Sequence, residues 1–245
     1  MEALANPDCG WLFKKSADSF KDLPSSAISY WLSSSVVAAF SGRSIADCYV
    51  GKEGVGTRND DVFIKNTWEV SDKDISRDRK WIITDKAGGF QRWYASFEHV
   101  MDWENDGFRI KNYRDEKTGK LKSRPQNTDY LFKAGVSWGK VGSGEPSFRY
   151  RAQGFGFNDA APTLFGNNLL TVLAYLNTTT AREFIKVQGE TLNLTTGIVV
   201  SLPLPSFDQN QNRQICNLAE SCIGLVQDEQ SRFEISYEFS HHPLL

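Results

Sequence analysis

Two adjacent glycines stand between a lysine and an aromatic, cationic run in Lys86-Ala87-Gly88-Gly89-Phe90-Gln91-Arg92-Trp93-Tyr94. Gly88 and Gly89 permit positive φ and a close backbone approach to a ligand. Lys86 and Arg92 supply cationic donors, and Trp93 and Tyr94 supply planar faces. The same residues suit a hairpin packed into a core, so residue types alone leave both readings open. A second group, Ser123-Arg124-Pro125-Gln126-Asn127, concentrates donors suited to base edges, because arginine pairs with guanine and glutamine or asparagine with adenine. A third, between Ser137 and Arg151, carries Lys140, Ser143, Ser147, Arg149 and Arg151, a mixture suited to phosphate oxygens.

Bond-making chemistry has little footing in this chain. A zinc centre needs four suitably spaced ligands, whereas Cys9, Cys48, Cys216 and Cys222 are scattered and only His99, His241 and His242 accompany them. A nucleophilic triad needs a histidine base. His99 is the one histidine outside the C-terminal tail, and it reads as a strand or turn residue. The run GKVGSGEPS from Gly139 has glycines without the lysine and following helix of a phosphate loop, and GFGFN from Gly154 does not open a helix after a strand. The carboxylate pairs Asp60 with Asp61 and Glu104 with Asp106 are of a kind common on solvated turns. No catalytic or metal-binding residue is assigned.

Charge is unevenly placed. The formal net charge is −2, yet from Arg109 to Arg151 eleven basic residues stand against four acidic ones, making that segment +7 and the remainder −9. Such asymmetry suits a polyanion-facing surface on an acidic body, with a solvated basic loop as the plainer alternative. The 245 residues, 40% hydrophobic and 13% aromatic, suffice for a sizeable core. No apolar run approaches the roughly 20 residues that span a bilayer. The N-terminal stretch MEALANPDCGWLFKK lacks a secretory pattern, and the scattered cysteines fit a reducing cytoplasm.

The elements that must position these residues follow from periodicity. Residues 1–24 read as a linker or upstream tail. A helix is expected after Ser25 or Ser26 as N-cap, carrying Ile28, Trp31, Leu32, Val36 and Phe40 and stopped by Gly42. From Ile45 to Asn158, short β-like pieces alternate with turn residues, interrupted by a long basic insertion with a helical fragment around Phe108 to Tyr113 and a turn at Gly119. Beyond Pro162, Leu169, Leu170, Leu173 and Leu176 mark a helix, a second starts at Thr180, and TGIVVSLPLP reads as a buried strand. Asp208 caps a last helix with the stripe Ile215, Leu218, Cys222 and Leu225. The expected class is α+β, a mixed, mostly antiparallel twisted sheet with flanking helices and a long C-terminal helix. Residues 25–205 form the main domain and 206–245 a packing helix and tail.

In order along the chain, GVGTRNDDVFIKNTWEV, KAGGFQRWY, WENDGFRIKNY, RPQNTDYLFKAGVSWGKVGSG and FRYRAQGFGFNDAAPTLF resemble the target-recognition region of the PglX family, adenine-specific DNA methyltransferases of BREX phage-defence systems. The ending FEISYEFSHHPLL is similar to the segment following that region, and the run from Leu169 to Pro205 resembles the closing helix and strand of TaqI-like specificity domains. The resemblance implies a domain of an adenine-N6 methyltransferase, at work in phage defence or restriction-modification, that binds double-stranded DNA and specifies the methylated site. It assigns Lys111, Lys120, Lys122 and Arg151 to phosphates, and Arg92, Arg124, Gln126 and Asn127 to base edges. Lys86, Gly88, Gly89, Lys140, Ser143 and Arg149 complete the expected surface. It also moves the glycine run toward a DNA-facing turn, with Trp93 or Tyr94 bracing it from behind.

The family's [NDS]-P-P-[YFW] catalytic motif and its F-x-G-x-G motif for S-adenosylmethionine are absent from these residues, and NPDCG at Asn6 is no substitute. The cofactor is therefore expected in a separate catalytic domain. That domain and other phage-defence subunits are the implied partners, with no membrane. Residues 57–61 and 137–144 depart from the family pattern, so no target sequence carries over. Two other readings stand beside this one: an interaction module with a basic face for an acidic partner, and a glycan-binding sheet using Trp93 and Trp103.

Overall fold

In the computed structural model, the described residues are 29–242 other than 96 and 189–191, together with 6, 9, 10, 16, 18, 21 and 244. Most of the expected linker and the caps at Ser25 and Ser26 lie outside them.

Short runs rich in β-branched and aromatic residues form the strands. They are β1 (Tyr49–Lys52), β2 (Ile64–Asn66), β3 (Trp81–Asp85), β4 (Trp93–Tyr94), β5 (His99–Asp102), β6 (Gly135–Trp138), β7 (Phe148–Arg151), β8 (Gly156–Phe157) and β9 (Thr163–Gly166). The helices are α1 (Ser34–Phe40), α2 (Asp60–Phe63), α3 (Glu104–Lys111), α4 (Leu169–Leu176), α5 (Thr179–Val187), α6 (Thr196–Val200) and α7 (Gln209–Gln230). One sheet runs β1-β9-β6-β7-β4 and the other β2-β5-β3-β8. All neighbours are antiparallel except β4 with β7 and β3 with β8. The α+β class with a mixed, mostly antiparallel sheet is what the sequence predicts, divided here between two sheets.

Alternation along the strands divides the apolar side chains between two cores. Trp81 and Ile83 of β3 and Val100 of β5 join the larger core with Val136, Phe148 and Leu164. Their neighbours Ile82 and Met101 face the smaller one with Phe63, Trp103, Ile110 and Phe157. β3 is buried throughout for this reason, which explains its unbroken WIIT run.

Three expectations change. α1 starts at Ser34, because the Ser33 hydroxyl accepts from the Val36 amide, and Trp31 lies exposed before it. The run TGIVV is helix α6 rather than a strand: the Thr195 hydroxyl accepts from the Ile198 amide, and this cap prevails over the β-propensity of the valines. Asp208 does cap α7, with Gln211 completing a capping box. The buried stripe of α7, however, is Ala219 and Ile223 with Val226, while Leu218 and Leu225 are 68% and 73% exposed. α7 packs on α4 and β4, and the direction of those partners selects the inward face.

Candidate nucleic-acid interface

The glycine run crosses between the sheets, from the end of β3 to β4, and both shoulders are fixed. On one side Asp85 accepts a hydrogen bond from the Ala87 amide at 3.0 Å, and Lys86 pairs with Asp60 at 3.1 Å. On the other the Gln91 amide donates to the Ser147 hydroxyl at 3.2 Å. Between them Ala87, Gly88 and Gly89 all have positive φ, 62°, 129° and 60°. Tyr94 is buried with its hydroxyl donating to Glu238, and Trp93 packs against the larger core. Both rings stand behind the tip. The ring that points outward is Phe90, 60% exposed, with the Arg92 guanidinium 5.1 Å from its centroid.

The basic insertion is an ordered finger. Its arms bridge at Arg114 and Leu121, and its turn is closed by Asp115, whose carboxylate accepts from the Lys117 and Thr118 amides at 3.1 and 2.8 Å. Gly119 takes the φ of 66° that the turn requires. At the base, Arg124 and Gly56 exchange backbone hydrogen bonds of 2.6 and 2.9 Å. Asn59 donates to the Tyr113 hydroxyl at 3.1 Å, while Asp60, next in sequence, holds Lys86. Residues 56–60 thus tie the finger to the glycine tip. A third segment, the loop from Gly139 to Ser147, borders the tip and with Phe90, Leu192 and Ile198 encloses a groove of about 310 Å³.

Within this frame the expected contact residues separate. Gly88, Gly89, Lys120, Arg124 and Ser143 are exposed, and Lys120 and Arg124 carry no ion pair among the described residues. Lys117, exposed and likewise unpaired, belongs with them. Lys111 pairs with Asp106 at 2.6 Å, Lys122 with Asp115 at 3.5 Å and Lys140 with Glu53 at 2.7 Å. The side-chain amides of Gln126 and Asn127 donate to the carbonyls of Gly54 and Glu53 at 3.1 and 2.8 Å, so they hold the finger's root.

Arg149 and Arg151 are corrected outright, since both are 0% exposed and cannot touch a phosphate. Arg149 donates to Asp85 at 2.8 Å, and Asp85 also accepts from the Ser137 hydroxyl at 2.6 Å, clamping one sheet to the other. Arg151 donates to the Thr163 hydroxyl at 3.0 Å and stacks over Phe157 at 4.4 Å. Burial pushes the Asp85 carboxyl up, but the charge and hydrogen bond of Arg149, with Arg151 and Ser137, hold it below the usual carboxylate range. Burial pushes Arg151 down to about 10, against the pull of Asp85 and with the repulsion of Arg149, which leaves it charged at neutral pH. Trp103 is also buried and offers no open face to a sugar.

No family model matches the chain. It is 29% identical, over 259 aligned positions that cover all of it, to the adenine-specific methyltransferase PglX of Lacticaseibacillus casei (strain Zhang). The chain is homologous to one region of this methyltransferase. A second relative, the adenine-specific methyltransferase BrxX of Escherichia coli O9:H4 (strain HS), is 28% identical over 92% of the chain. The chain spans 21% of the length of PglX and 18% of BrxX, about a fifth of either relative. The resemblance to the PglX family read from the motifs is therefore borne out. Of the quoted PglX-like stretches, GVGTRNDD forms the tie at residues 56–60 and KAGGFQRWY the tip. Sequence reading missed that tie and the outward ring.

Proposed function

We propose that this chain is the DNA target-recognition domain of an adenine-N6 methyltransferase of a phage-defence system. It grips duplex DNA beside the target base and specifies the site, and methyl transfer from S-adenosylmethionine belongs to a separate catalytic domain. The observation that carries this reading is the basic finger, tied through residues 56–60 to the glycine tip, in a chain homologous to part of two adenine-specific methyltransferases. Lys117 and Lys120 are placed to meet phosphates, and Arg124 to reach a base edge. Lys111, Lys122 and Lys140, whose ammonium groups are paired with carboxylates, exchange those partners for phosphate when DNA arrives.

Duplex affinity measured by fluorescence anisotropy tests this. Each neutralised phosphate releases counterions, so affinity falls steeply with salt. Lys120→Ala weakens all sequences similarly and lowers the salt slope by about one, whereas Arg124→Ala relaxes preference at one position. Affinity equal at low and moderate salt, or absent at both, would overturn the reading.

A second reading, an interaction module, draws support from the outer face of α7. Leu218 and Leu225, two turns apart, are exposed there. That face suits the catalytic domain or another defence subunit better than an acidic partner. Leu218→Glu with Leu225→Glu should abolish co-purification with the catalytic domain and leave DNA affinity intact.

A further inference from the structure

We propose that Phe90 is a wedge that enters the base stack of duplex DNA and holds open one step. The inference rests on the DNA-binding reading above and adds to it a residue and a mode of insertion. Three features of the tip carry it. First, Phe90 is a large apolar side chain left 60% exposed although the chain has two cores that other phenylalanines fill. Burial of such a ring is stabilising, so the ring carries apolar area that a partner can cover. Second, the tip is slim. A Cβ added at Gly88 or Gly89 would meet no atom within 4 Å, and both glycines hold positive φ. The backbone beside Gly88 and Gly89 is therefore open, and the ring's other neighbours are the loop from Gly139 to Ser147 across the groove.

Third, the ring stands on a stiff base. Asp85 and Asp60 hold one shoulder, Ser147 holds the other, and Trp93 and Tyr94 pair in parallel with Arg149 and Tyr150 of β7. Insertion costs the stacking of the opened step, and it is favoured when the wedge itself loses little freedom on binding. The Arg92 guanidinium, 5.1 Å from the ring centroid, brings positive charge beside the ring, where the phosphates of an opened step lie. A flat aromatic beside a cation matches a widened base step. It also fits a protein that must stabilise the gap left when an adenine leaves the stack.

A duplex with an abasic site has already lost part of its stacking and charges the wedge less for entry. The experiment compares the full chain and its Phe90→Ala and Phe90→Trp variants on an intact duplex and on the same duplex with one abasic site. The wild-type chain should favour the abasic duplex about tenfold, in keeping with the value of one base–aromatic stack. Phe90→Ala should lose the preference for the abasic duplex, while Phe90→Trp should restore it. Thermal melts confirm that both variants fold. An equal preference in wild type and Phe90→Ala, or none in wild type, overturns the wedge while DNA binding persists. So does loss of all duplex binding by a folded Phe90→Ala, which would make the ring part of the general grip. Failure of the wild-type chain to bind either duplex removes the DNA reading itself.

Discussion

Asp85 is the residue on which both the fold and the candidate interface depend. Its carboxylate clamps Arg149 and Ser137 of the larger sheet, and the same carboxylate fixes Ala87 at the root of the tip. Asp85→Asn leaves two buried guanidinium groups without a counter-charge, and should cost about 3–5 kcal/mol in urea unfolding at neutral pH. The folded pKa of Asp85 lies below its unfolded value of about 3.9. Its contribution is therefore fully present above that unfolded value and is lost as pH falls through the folded one. The stability gap between wild type and Asp85→Asn should stay constant from pH 7 to about pH 5 and narrow at lower pH. A gap that widened on acidification would contradict the assignment. None of this was legible in the sequence, where Arg149 and Arg151 read as surface cations because their buried partner lies 64 positions from Arg149.

At the scale of elements, local signals were reliable where a cap was present and misleading where packing chose the face. Asp208 was readable as the N-cap of α7, and Asp208→Ala should lower stability by about 1 kcal/mol. The stripe on the same helix was read one position away from its true place. Ile223→Ala should cost about 2–4 kcal/mol, whereas Leu218→Ala should stay within about 0.5 kcal/mol of wild type; the reverse order would restore the stripe through Leu218. Both stripes have helical spacing, and only the positions of α4 and β4 decide between them. The basic insertion shows the converse. Its turn at Gly119 was legible, but its anchoring was not, because Gly56 and Asn59 hold it from a distant part of the chain.

For the whole molecule, the +7 segment loses much of its apparent charge on folding. Arg149 and Arg151 are internal, and Arg109, Lys111, Lys122 and Lys140 have carboxylate partners. DNA affinity should therefore be modest and concentrated on the finger. Replacing Lys117, Lys120 and Arg124 together by Glu should cut duplex affinity at least tenfold at low salt with no change in melting temperature, as read by anisotropy and calorimetry. Residues 206–245, marked off in the sequence, contribute Ile223 to the larger core and Glu238 to Tyr94. A chain ended at residue 205 should unfold at markedly lower urea concentration or lose a cooperative transition altogether, which equilibrium unfolding would reveal.

Composition, turn residues and caps are local properties, and they alone determined the α+β class, the strand-rich middle, the helical end and the family resemblance. Their signals act over a few residues, through backbone sterics and hydrogen bonds that neighbours satisfy. Which charges meet solvent and which ring points outward are properties of long-range packing. Only the tertiary structure enclosed Arg149 between the sheets and left Phe90 at the tip. A charged or aromatic side chain carries the same chemistry in either place, and the burial that decides its role is set by partners remote in sequence.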